Sequence, residues 1–296
     1  MTYAYDTETL RLLFQRSTAL PHLKHCAMRL LNEIDEDGTD LKRFEKTVAA
    51  DPALTAMVIR SATRLAETRA SGNITTIRAA IMHLGSGSIR SIAASLALQS
   101  MTAGLGNGMM FNTERFARHS LFVGTYSAFL YRKWLENHEK EVEWTPEELF
   151  AAGVLHDIGE ALMFRVAPDI HTRVAVYAHK REICFANAYL EIYNSALSEL
   201  TLATVASWGF PDIFRVVIEK MDAPWLAPEA YAPLACLTYA NQAAEECGFE
   251  SGAAPRKRLE LTDIKHEVGL SEEEEKTTIE VVARHVYEIM EPRRAA

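Results

Sequence analysis

Apolar side chains return every three or four residues along most of this chain, and no sustained stretch alternates them with polar ones at period two. Helices are therefore predicted throughout and strands nowhere, an all-α fold. Residues 7 to 33 read as two short helices parted around Leu20-Pro21, with Leu23, Cys26, Met28, Leu30 and Leu31 as apolar positions. Asp40 is placed to cap a helix carrying Leu41, Phe44 and Val48. Asp51-Pro52 starts another, with Leu54, Met57, Val58, Ser61 and Leu65 facing inward. Asp at the cap and Pro at the first helical position is a firm start signal. Ile77, Ala80, Ile81 and Leu84 keep the helical spacing up to a boundary at Gly85 and Gly87, and Ile89, Ile92, Ala93 and Leu96 resume it toward Met101.

Gly104 to Met110 holds three glycines and reads as a hinge between an N-terminal helical bundle, ending near residue 104, and a second helical half beginning near residue 113. It lacks the lysine and spacing of a phosphate-binding loop. Thr113 is expected to open a helix with Phe116, His119, Val123, Tyr126 and Leu130. Thr145, Pro146 and Glu148 form a capping-box start for a helix running to about Phe164. Two more are expected over about 170–180 and 190–208, the latter stopped by Trp208-Gly209-Phe210-Pro211. A Pro- and Ala-rich linker (223–233) precedes an apolar helix over about 234–246. Ser271-Glu-Glu-Glu274 then caps a last amphipathic helix. The predicted division is an N-terminal segment (1–12), a main helical domain (13–222) and a C-terminal helical extension (223–296).

A formal charge of −9 removes electrostatic support for a broad nucleic-acid-binding surface. No apolar run reaches transmembrane length, and Asp6, Glu8 and Arg11 do not fit a secretory signal. A cytoplasmic protein with neither a nucleic-acid nor a membrane partner is expected. Cys26, Cys184, Cys236 and Cys247 are scattered and suit reduced, buried thiols. Chemistry is hinted at in one place, the pair His156-Asp157 inside an apolar segment. A buried carboxylate is costly unless a metal or hydrogen-bond donors compensate. The pair thus needs a cation or a structural hydrogen-bond network.

Five blocks occur in an informative order: Asp51-Pro-Ala-Leu-Thr55, Ile77-Arg-Ala-Ala-Ile-Met-His-Leu-Gly85, Arg118-His-Ser120, Leu155-His-Asp-Ile-Gly159 and Trp208-Gly-Phe-Pro211. Over about residues 13 to 222 they resemble the HDOD (HD-related output domain) family of bacterial signalling proteins. The resemblance implies a multi-helix fold related to the metal-dependent HD phosphohydrolases, in a family commonly regarded as non-catalytic. It also implies a residual ligand set: His119 at the first family histidine, and His156-Asp157 as the signature pair. Other positions depart from the pattern. Leu197-Ser-Glu199 stands where relatives often carry a histidine, Ile218-Glu-Lys-Met221 has none, and Asn241 takes the place of a final aspartate. Glu160 replaces a lysine of cyclic-dinucleotide phosphodiesterases and would repel phosphate.

The resulting expectation is a non-catalytic signal-transduction protein with no catalytic residue and no required cofactor. It would bind a signalling protein or a small nucleotide ligand at residues the sequence does not mark. The alternative is a metal-dependent phosphohydrolase using an ion such as Fe or Mn on a nucleotide or cyclic dinucleotide. Arg60, Arg64 and Arg90 are candidates for touching phosphate, with solvated surface as their plainer role. The remaining histidines, His171 among them, show no ligand spacing and are assigned to surface or packing.

Overall fold

The computed structural model describes residues 7–16, 41–50, 54, 55, 58, 59, 61–63, 74, 76–102, 105–138, 144–205, 212–251 and 259–290. Among them every regular element is helical: α1 (Thr7–Arg16), α2 (Leu41–Ala49), α3 (Ile77–Thr102), α4 (Thr113–Asn137), α5 (Pro146–Leu155), α6 (Ile158–Val166), α7 (Pro168–Arg181), α8 (Phe185–Tyr193), α9 (Leu197–Val205), α10 (Asp212–Lys220), α11 (Tyr231–Glu246), α12 (Thr262–Val268) and α13 (Glu272–Met290). The second N-terminal helix, the Asp40 and Asp51-Pro52 caps, Arg60, Arg64, the Arg90 side chain and the Trp208–Pro211 block lie outside the described residues.

Helix α4 is the axis of the molecule. It packs on α5, α11, α12 and α13, and α5 in turn meets α3 and α10. The apolar stripe read from the sequence is the buried one, for Phe116, Val123, Tyr126 and Leu130 all face the core. Leu54, Val58 and Ala62, at i, i+4 and i+8, are likewise buried. Past the linker the chain stays bound to α4. Trp134 Nε1 donates to Glu267 at 2.6 Å, and Asn137 Nδ2 donates to the carbonyls of Glu267 and Val268.

Both expected capping boxes form. Thr145 and Glu148 close the start of α5, and Ser271 and Glu274 that of α13. Several boundaries differ from the sequence expectation. The helix opened at Thr145 does not run to Phe164: it stops at Leu155 and a new one starts at Ile158, with His156-Asp157 as the corner. The His156 N–H turns back to the Gly153 carbonyl, three residues away instead of four, and Asp157 leaves the helical region at φ −101°, ψ 18°. The helix expected over 190–208 is split into α8 and α9 by Asn194, which takes the left-handed conformation at φ 51°. Helix α4 does open at Thr113 as expected, and Asn112 caps it, its side chain accepting from the Arg115 N–H at 2.9 Å.

The glycine-rich hinge is a closed turn in its described part. Asn107 and Asn112 form an antiparallel bridge, the Gly108 N–H donates to the Phe111 carbonyl, and Phe111 is buried, though Met109 is exposed. Gly85, expected as a boundary, does leave the helical conformation at φ 78°, ψ 161°, so α3 is two helical segments that meet there at a kink. The linker folds into two short 3₁₀ turns, Pro224–Leu226 and Pro228–Ala230.

Two glycines set how closely α4 and α5 approach. A Cβ on Gly124 would stand 2.7 Å from the Phe150 carbonyl oxygen, and one on Gly153 would stand 2.9 Å from the Gly124 Cα. Backbone cannot yield as a side-chain tip can, so a methyl group there must force the helices apart. Gly124→Ala should lower the unfolding free energy by about 1–3 kcal/mol, read as an earlier urea midpoint. An unchanged midpoint would show that the two backbones are not in contact.

Candidate metal centre and the cleft beside it

His119 sits on α4, one turn before the Gly124 crossing, and the His156-Asp157 corner follows Gly153 on the opposing helix. The tight crossing therefore brings these side chains together. His119 Nε2 and His156 Nε2 are 3.4 Å apart. Asp157 Oδ2 lies 3.0 Å from the latter nitrogen and 3.6 Å from the former. Both imidazoles are buried, and the carboxylate is partly so.

The outer ring nitrogens decide the electrostatics. His119 Nδ1 is 2.7 Å from the Phe249 carbonyl oxygen, and His156 Nδ1 is 2.7 Å from that of Gly153. A carbonyl only accepts, so each Nδ1 must carry the proton and donate it. In a neutral ring Nε2 then presents a lone pair. Two such lone pairs converge on each other and on a carboxylate oxygen, an arrangement of three acceptors that repels itself. A hydrogen-bond donor placed among them relieves it, and so does a cation held by all three atoms. Neutral imidazole with its far N–H fixed by a carbonyl is the form in which histidine binds metals. His119, His156 and Asp157 thus suit a divalent ion, with both histidines already in the tautomer it requires.

The Phe249 carbonyl had no signature in the sequence. Helix α11 ends at Glu246, Gly248 adopts φ 82°, and the Phe249 N–H bonds back to the Ala244 carbonyl at 2.8 Å. This Schellman-type turn sends the chain back over α4, where the Phe249 ring stacks on Phe122. The glycine after an apolar helix was the readable part of the signal. Which side chain the next carbonyl would meet was not.

A cleft of about 190 Å³ opens beside the cluster, with His156 and Asp157 on its wall. Glu160, Glu219, Asp222 and Glu245 also line it, so with Asp157 it carries five carboxylates, and no lysine or arginine is among its described lining residues. Glu160 is not simply a surface charge. It is buried, with Oε1 3.2 Å from His171 Nε2, and His171 packs between the rings of Phe111, Phe164 and Phe185. Leu197, Ser198 and Ile218 reach the cleft too, so the departures from the family pattern are parts of its wall. So does Asn241, whose side chain is 2% exposed and whose Oδ1 has no hydrogen-bond partner.

A sequence profile of the HDOD domain matches residues 20–224, more than half of the sequence, and the chain belongs to the HDOD family. Its fold is shared with an HDOD domain protein of unknown function from Geobacter sulfurreducens. The TM-score is 0.71 at 19% identity, over 96% of this chain and 99% of that one. Two Shewanella amazonensis proteins are similar as well. One, named "Putative phosphohydrolase", gives a TM-score of 0.60 at 21% identity over 94% of both chains. The other, named "Putative metal-dependent phosphohydrolase", gives 0.62 at 20% over 96% of this chain and 98% of that one. At these identities the likeness is one of fold. No curated protein matches the sequence. Helix α11 and Phe249, which complete the site, lie beyond the matched residues.

If a cation occupies the triangle of acceptors, Mn²⁺ or Zn²⁺ titrated into metal-stripped protein should raise its melting temperature. Asp157→Ala and His119→Ala should each weaken that binding by at least about tenfold, since even an outer-shell change has effects of this size. Equal affinity in all three proteins would place the metal elsewhere.

Proposed function

We propose that this protein is a non-catalytic regulatory member of its family. The residual His119–His156–Asp157 cluster clamps α4 to the α5–α6 corner, and the neighbouring cleft receives a signalling partner. The observation that carries this reading is the charge of the cleft: five carboxylates on its wall, and no lysine or arginine among its described lining residues. Phosphoester hydrolysis gathers negative charge in the transition state, and enzymes meet it with cationic groups or metals placed for that purpose. Here each carboxylate about 4 Å from a phosphate would oppose it by roughly 1 kcal/mol in water and about 4 kcal/mol at an effective dielectric of 20. A divalent ion on the cluster would leave the cleft net negative. The same charge disfavours a nucleotide in this cleft and favours a partner that presents positive charge.

The second reading, a metal-dependent phosphohydrolase, is favoured by the converging Nε2 lone pairs. A bound ion would polarise a phosphoryl oxygen and acidify a water. In that case His119, His156 and Asp157 would hold the ion, and Asn241 and the acidic wall would border the substrate.

Turnover separates the two. Purified protein supplied with Mn²⁺ or Fe²⁺ should release no product from nucleotides, cyclic dinucleotides or a chromogenic phosphodiester, with rates equal in wild type and His156→Ala. Metal-dependent turnover that His156→Ala abolishes would overturn the regulatory reading in favour of the hydrolase.

A further inference from the structure

The cleft beside the cluster combines acidic, apolar and unpaired polar lining. Its lining is in part acidic, from Glu160, Glu219, Asp222 and Glu245, and in part apolar, from Phe185, Leu190, Leu197 and Ile218. Into the same wall is set Asn241, nine-tenths and more buried, with an amide oxygen that accepts nothing. Leaving a buried acceptor unpaired costs about 1–3 kcal/mol, so the site is built for a donor that comes from outside the chain. Arg215, the one arginine of α10, is engaged elsewhere. Arg215 holds Glu219 at 3.1 Å and is itself gripped by both oxygens of Asp212, at 2.8 and 2.9 Å.

From this combination we infer that the cleft binds a primary ammonium carried on an aliphatic stem. The ammonium has three donors and no acceptor, which matches a wall of carboxylates and one free amide oxygen. Its methylenes match the apolar lining residues Leu190, Leu197 and Ile218, in the way a lysine stem lies on apolar surface while its head stays with polar partners. The size agrees: about 190 Å³ falls below the roughly 300–1,000 Å³ of drug-sized pockets and suits a ligand of lysine or small-diamine dimensions. Two sources carry that chemistry, a free diamine or polyamine and a lysine side chain of a partner protein. The inference rests on the regulatory reading only in treating the cleft as a receptor.

Calorimetry on the full chain tests it, at about 150 mM salt so that surface charge is screened to within about 8 Å. One arm uses putrescine and spermidine, a second a short peptide with a single internal lysine, and a third Mn²⁺ alone. Saturable one-to-one binding is expected in the first arm or the second, and which of them binds names the source. Asn241→Leu, which keeps the side-chain bulk and removes the unpaired oxygen, should leave the melting temperature unchanged or raise it. It should weaken amine binding by at least about tenfold, the effect of deleting one hydrogen bond to a charged group. Glu219→Gln, on the wall but off the metal cluster, should weaken amine binding without altering Mn²⁺ binding.

No saturable amine binding would overturn the inference, as would binding that both variants leave intact. So would loss of Mn²⁺ binding, and not of amine binding, in Asn241→Leu, because Asn241 would then belong to the metal cluster. None of these results bears on phosphoester turnover, so failure here and failure of the regulatory reading are told apart.

Discussion

Two hydrogen bonds from ring nitrogens to backbone carbonyls govern the centre of this molecule. They fix the protons of His119 and His156 on the outer side of each ring, toward Phe249 and Gly153. The inner nitrogens, 3.4 Å apart, are thereby left as acceptors facing Asp157. Had either ring donated inward, Asp157 would simply close a neutral hydrogen-bond network. With both donating outward, the three acceptors repel one another unless a donor or a cation sits among them.

That geometry depends on close packing more than on the three side chains. Gly124 and Gly153 let α4 and α5 touch backbone to backbone, and a turn on either side of that contact the imidazoles meet. A third glycine acts at a distance from the crossing. Gly248, left-handed after α11, directs the Phe249 carbonyl onto His119. The C-terminal helices thus take part in the site, since without the α11 turn nothing in this geometry would hold the His119 proton outward.

The helices of the fold could be read from the sequence where their signal is local. The Thr145–Glu148 and Ser271–Glu274 boxes and the stripe Phe116–Val123–Tyr126–Leu130 need only neighbours in the chain. The breaks were missed where the cause is an interaction or an unusual backbone state at an ordinary residue. Asn194 turns left-handed with no glycine to announce it, and the His156-Asp157 corner interrupts an apolar run that reads as continuous. At the site, the sequence supplied His119, His156 and Asp157, and the fold brings their ligand atoms within 4.8 Å. It could not supply Phe249, which acts through its carbonyl. Nor could it show that Glu160 would be buried against His171, because that pair joins two helices through a ring stack.

Cluster and cleft ask for the same sign of charge, and this limits what the pair of them can do together. An HD-type hydrolase needs a cation at the cluster and an anion beside it. Here the wall beside the cluster is acidic, so a phosphoester would enter against Glu160, Glu219, Asp222 and Glu245 with only the ion to attract it. A cation in the cleft meets no such conflict. It also competes with a cation on the cluster, because Asp157 belongs to both. Occupancy of one site should therefore weaken the other through their shared carboxylate and like charge. Such a coupling is reciprocal: whatever the ion does to the affinity of the cleft, the cleft's ligand does to the ion. That reciprocity would let the junction of α4, α5 and α6 respond to a bound ligand.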